Sequence, residues 1–104
     1  MTLVDFKLSA DRFLEIVRET VTDTKNVTIP EPPDAGEWEQ AVNYRQVIRC
    51  LEDGELITEP VLDDFNNWQA SLQRFSAGVM AVVTIALARK QDRWHIYVIE
   101  VKHE

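Results

Sequence analysis

Hydrophobic and polar positions alternate most clearly near the end of the chain. There VMAVVTIALA (79–88), a polar break RKQDR (89–93) and WHIYVIEVKH (94–103) read as two antiparallel strands joined by a loop. In the first, Val79, Ala81, Val83, Ile85 and Leu87 share a face. In the second, Trp94, Ile96 and Val98 lie opposite His95, Tyr97, Ile99 and Val101. Both faces of the second strand are largely apolar, which predicts a central or doubly covered position.

Upstream the period lengthens. Ala10, Phe13, Leu14, Val17 and Val21 keep a helical rhythm, with Asp11, Arg12, Glu15, Arg18 and Glu19 on the other side, predicting a helix over 10–22. Ser9 is its expected N-cap, and Leu8 and Phe13 stand at the two positions of a hydrophobic staple. A second helix is predicted over 35–53, opened by Asp34 and Glu37, with Trp38, Ala41, Val42, Ile48 and Leu51 on one face. Gly54 is expected to end it in a left-handed C′ conformation.

The intervening NVTIPEPP (26–33) holds three prolines and reads as an extended surface connector; Thr2–Lys7 reads as a short edge strand. Glu55–Thr58 is β-like. Residues 61–75 are ambiguous: Phe65, Trp68, Leu72 and Phe75 fit a helix, but Trp68, Ala70 and Leu72 against Gln69, Ser71 and Gln73 fit a strand with one wet face. The glycine turn at Gly78 favours β from Trp68. These elements predict one α+β domain, 1–104, with two or three helices on one face of a mostly antiparallel sheet of three to five strands ending in a C-terminal hairpin. Residues 1–25 form an N-terminal arm, 26–33 the connector and 34–104 the body.

Composition adds boundaries. With 45% hydrophobic and 28% charged residues the chain is of ordinary globular type. Its single cysteine, Cys50, excludes an internal disulfide and is expected to face the core. No apolar leader follows Met1, and the run 77–88 is too short to span a bilayer as a helix, so a cytosolic protein without membrane contact is expected. The net charge of −7 argues against general affinity for phosphates. Its distribution is uneven: residues 1–64 carry 15 acids and 6 bases, residues 65–104 carry 3 and 5. That pattern points to an acidic surface for a basic partner, or to an acidic element shielding a basic one.

Three constellations bear on chemistry. Glu100 and Lys102 form the E-x-K half of a magnesium nuclease strand, but the nearest further acid, Asp92, lies in the hairpin loop, and solvated residues at a strand end explain the pair better. His95 and His103 share a face under strict alternation, yet stand too far apart to chelate one ion. Neither a metal nor a cofactor is expected. The third is metal-free RNA cleavage by the ribose 2′-OH, which needs cations around the phosphate and groups that move protons. Gln69, Arg74, Arg89, Arg93, His95, Lys102 and His103 are the right types, though each is also an ordinary surface residue.

The order of residues 44–104 resembles the motility and quorum-sensing-regulator toxins within the RelE-like messenger-RNA interferases. The likeness rests on Val47-Ile48 and Leu51, a short strand, Trp68-Gln69, Arg74, Gly78 and a closing Val101-Lys102-His103-Glu104. It implies a metal-independent ribonuclease site on an antiparallel sheet, with Gln69 and Lys102 in it, and an antitoxin partner. Thr58 and Ala81 stand where that family has a lysine and a tyrosine, and the chain is acidic where the family is basic.

Two functions therefore compete. One is a RelE-like endoribonuclease using Gln69, Arg74, His95 and Lys102, with a histidine as acid. The other is a non-enzymatic acidic protein-binding module: an antitoxin, immunity protein or inhibitor of a basic partner. A winged helix is a third possibility, opposed by Asp63 and Asp64 on its recognition helix. The ribonuclease requires Gln69 and Lys102 on one uncovered side of the sheet.

Overall fold

The computed structural model describes residues 8–29, 44–76 and 78–103. The predicted strand at 2–7, the prolines at 30, 32 and 33, and the second helix's opening with Trp38, Ala41 and Val42 lie outside the described residues.

The first helix, α1 (Ala10–Val21), begins as the sequence predicts: the Ser9 side chain accepts a hydrogen bond from the Arg12 amide. Leu8 and Phe13 are both buried in the core, completing the staple. The inward stripe is Phe13, Ile16, Val17, Thr20 and Val21. It is turned from the expected one, so that Ala10 is exposed and Ile16 takes a central place. Thr20 tolerates burial because its hydroxyl donates to the Ile16 carbonyl at 2.6 Å.

A 3₁₀ turn, Thr24–Asn26, leads into a two-residue strand, β1 (Val27–Thr28), where the sequence predicted open connector. The second helix, α2 (Tyr44–Asp53), buries Val47, Cys50 and Leu51. Then come β2 (Glu55–Leu56), β3 (Val61–Leu62), β4 (Trp68–Ser76), β5 (Val79–Lys90) and β6 (Arg93–His103). The sheet runs β1-β6-β5-β4-β2, with β3 also pairing β4. Every pairing is antiparallel except β1 with β6. The architecture is thus the expected single α+β domain; two-residue edge strands bring the sheet to six.

The two helices and the sheet enclose one core containing Phe13, Ile16, Val17, Val47, Leu51, Leu72, Val83, Ile85, Leu87 and Ile96. Each fully buried aliphatic side chain of this kind contributes roughly 1.5–3 kcal/mol. Because α1 supplies part of this core, residues 10–21 are built into the body instead of forming an arm apart from it.

Arg18, which the helical pattern assigned to the polar side of α1, ties the helices together. Its guanidinium donates to the Leu51 and Gly54 carbonyls, each at 2.9 Å. It thereby satisfies carbonyls at the end of α2, where the helix dipole favours a cation. Gly54 is required for a different reason from the one expected. Its φ is not positive; instead a Cβ there would collide with the Cys50 carbonyl oxygen and meet the Gln73 carbonyl oxygen at 2.9 Å. Gly78 does have a left-handed backbone, φ 79°, with open space around it.

The long hairpin departs from expectation twice. Its turn is only Gln91-Asp92, both at positive φ, while Arg89, Lys90 and Arg93 belong to the ladder. More consequentially, Thr84 pairs with Glu100 and Ile85 with Val98, so Ile99 is an extra residue in β6. Beyond this bulge the parity of β6 is reversed. Val101, expected beside His95 and Tyr97, enters the core at 3% exposure. Lys102, opposite Val82, joins the outer face, and His103, opposite Ala81, turns to the helix side, away from His95.

Arg18→Ala is expected to lower stability by about 1–3 kcal/mol in chemical denaturation, and Arg18→Lys to recover only part of it, lacking the two-pronged donor. Gly54→Ala should cost about 2–3 kcal/mol, and Gly78→Ala only about 1 kcal/mol.

Candidate functional site on the outer sheet face

Strand alternation sets which side chains face away from the helices. On β4 these are Gln69, Ser71 and Gln73, as read, together with Phe75; on β5 they are Met80, Val82, Thr84, Ala86, Ala88 and Lys90. From β6 come His95, Tyr97 and, past the bulge, Glu100 and Lys102, whose charges lie 4.0 Å apart; from β1 comes Thr28. Ser71 and Thr84 share a 2.7 Å hydrogen bond across the ladder.

The densest group of functional side chains lies at the hairpin end. Ala86 and Ala88 form its floor, flanked in register by Gln69 and Tyr97 on either side of Ala86 and by His95 beside Ala88. Small side chains there leave room above the sheet between taller neighbours. Gln69 and Tyr97 sit one strand to each side of β5, so their Cα atoms are roughly 10 Å apart. Thr28 Oγ1 and His95 Nε2 share a 2.7 Å hydrogen bond, so the parallel edge strand orients the imidazole. The His95 and Tyr97 rings stand 4.6 Å apart between centroids, and the Lys90 ammonium lies 5.2 Å from the Tyr97 ring centre. Gln69 Nε2 donates to Asp63 Oδ2 at 3.4 Å. That carboxylate also accepts from the Phe65 and Asn67 amides at 2.8 and 3.0 Å, building a tight turn with Asn66 at φ 63°. Asp63 and Asp64 therefore lie between strands, and the recognition helix of the winged-helix reading is absent from this segment.

Of the four residues singled out from sequence, three share this face and one does not. Gln69, His95 and Lys102 point outward, whereas Arg74, opposite Ala81, projects on the helix side, where its Nε donates to Asp53 at 2.6 Å. Arg74 thus fastens β4 to the end of α2. The three that share a face are not gathered at a point. His95 and Lys102 pair with Ala88 and Val82, six residues apart along β5, or roughly 20 Å. The group that does converge includes Lys90 and Tyr97, which residue-type reasoning passed over. The signal available was their spacing: Tyr97 is two from His95 in a strand, and Lys90 lies across a two-residue turn.

Electrostatics also revise the role expected of His95. Burial of the ring first, and the Lys90 charge second, lower its pKa below the ordinary imidazole value of 6.5. At neutral pH His95 is uncharged, a proton acceptor, in place of the acid expected. Cys50, as expected, is inert: burial raises its thiol pKa to about 12.

The E-x-K reading loses its third ligand, since Asp92 occupies the hairpin turn at the opposite end of β6 from Glu100. Glu100 lies 4.0 Å from Lys102, both largely exposed. Among the described residues no group of three or more His, Cys, Asp or Glu side chains is placed to hold a metal ion. No helix among them is long and apolar enough to cross a membrane. Compared with known protein families, characterised proteins and solved structures, the chain matches none.

In an NMR titration the His95 ring is expected to change protonation below pH 6.5, and Lys90→Ala to raise its midpoint without restoring the ordinary value, because burial is the larger cause. A lowered folded-state pKa means the unfolded chain binds the proton more tightly, so His95 favours folding above pH 6.5 and this contribution is lost as pH falls below it. Cys50 should resist thiol reagents at pH 8 until the protein is unfolded.

Proposed function

We propose that the protein binds single-stranded RNA along the outer face of its sheet and cleaves it by metal-independent transesterification at the His95 end, as a divergent relative of the RelE-like interferases. The observation that carries this reading is the display of Gln69, Lys90, His95, Tyr97 and Lys102 on one face, with a low alanine floor between the first four. The bulge at Ile99 is what adds Lys102 to that display.

The separation of Lys102 from the His95 group favours an extended ligand over a single phosphate. A strand of several nucleotides engages both, with Lys102 neutralising a phosphate remote from the reaction. At the near end, neutral His95 takes the 2′-OH proton and the 2′-oxygen attacks phosphorus. The bond to the 5′-oxygen breaks, giving a 2′,3′-cyclic phosphate, and that oxygen gains a proton from solvent. The Lys90 ammonium offsets charge growing on the phosphate, Gln69 donates to a phosphate oxygen or base edge, and Tyr97 offers a ring on which a base can stack. RNA is required because only ribose carries the attacking hydroxyl.

The acidic protein-binding reading finds its support in the carboxylates of residues 52–64, of which Asp63 also holds Gln69. The two are compatible: an acidic flank repels phosphates from the wrong surface while the sheet face receives them.

Purified protein with EDTA should cut single-stranded RNA but not its DNA counterpart. His95→Gln should reduce cleavage by roughly 10²–10⁴-fold through kcat, with Lys102→Ala raising KM instead. Arg74→Ala should lower stability and leave the chemistry intact. Cleavage undiminished in His95→Gln, or none by the wild-type protein, overturns the proposal.

A further inference from the structure

The free edge of the sheet beyond β4 carries a second, unrelated surface. Val61, Leu62 and Phe65 are 58%, 52% and 83% exposed, the last the most exposed large apolar side chain among the described residues. Val61 faces the outer side of the sheet and Leu62 the other, so β3 is apolar and uncovered on both faces. Its one pairing is with β4, and among the described residues no strand lies along its far edge. Edge strands are ordinarily protected by charge on the strand itself; here the carboxylates flank it, at Glu59, Asp63 and Asp64. The stretch 55–64 holds four acids and no base. Three hydrogen bonds to Asp63 fix the turn that presents Phe65, so the surface is formed in advance of any partner.

We propose that this edge receives an extended, lysine- or arginine-rich segment of a partner protein, which adds a strand beside β3 and covers Val61, Leu62 and Phe65. Three features choose this occupant. The open strand edge selects an extended backbone, the apolar side chains select alternate apolar residues, and the flanking carboxylates select cations between them. A second copy of this chain is disfavoured, because edge-to-edge pairing sets the two acidic rims against one another. Polyanions are repelled for the same reason. The inference does not rest on the ribonuclease reading: the two surfaces share only the bond from Gln69 to Asp63, and none of Lys90, His95, Tyr97 or Lys102 enters it.

The test uses a synthetic seven-residue peptide alternating lysine with valine or leucine, labelled for fluorescence anisotropy, beside the same peptide with glutamate for lysine. The lysine peptide is expected to bind and to weaken steeply from 50 to 500 mM salt. Leu62→Thr with Phe65→Ser, and separately Glu59→Lys with Asp64→Lys, should each weaken it about tenfold or more. Amide shifts should centre on residues 59–65, and circular dichroism of each variant checks that the fold is kept. No binding by the wild-type protein, equal binding of the glutamate peptide, or unchanged affinity in both double variants overturns the proposal. Sedimentation showing a dimer lost in Leu62→Thr with Phe65→Ser overturns it in favour of self-association.

Discussion

One extra residue in one strand governs what this protein can present. The β5–β6 ladder is the longest pairing in the molecule, and the hydrophobic demand of the core would hold a regular ladder in strict alternation. At Ile99 the count slips by one, and every side chain after it changes side. The slip satisfies the core, which gains Val101, and at the same stroke places Lys102 on the outer face. Core packing and surface chemistry are coupled through a single backbone irregularity.

The rest of the molecule makes the outer face rigid. Among the described residues helices cover one side of the sheet only, and Arg18 joins them by bonding the carbonyls at the end of α2. Arg74 secures the same helix end to β4 from the sheet side. Neighbouring strands orient the outward groups: β1 holds His95 through Thr28, and the Asp63 turn holds Gln69. Side chains positioned from separate strands have little freedom to lose when a ligand arrives.

Charge divides the surface by task. A net −7 chain is a poor candidate for holding polyanions everywhere, but Lys90, Arg93 and Lys102 lie on the sheet strands while the carboxylates of residues 52–64 cluster around its far edge. The first region suits phosphates and the second suits cations.

Much of the architecture was legible from local rules. Ser9, Leu8 and Phe13 specify the start of α1 because capping and stapling involve neighbours in sequence, and the alternation from Trp68 specifies β4 because one face is wet. The positions that fooled a sequence reading all depend on distant partners. Arg18 looks like a solvent residue until α2 arrives, Val27–Thr28 become a strand only because β6 offers an edge, and Gly54 is needed because Cys50 and Gln73 crowd it. His95 becomes a proton acceptor through its burial and through Lys90 across the turn. Above all, nothing in IYVIEVKH announces that the strand will bulge. Sequence by itself determined the elements, their amphipathic faces and the uneven charge, since these follow from spacing along the chain. Tertiary structure alone decided which of Gln69, Arg74, His95 and Lys102 share a face, because register is settled by packing between strands.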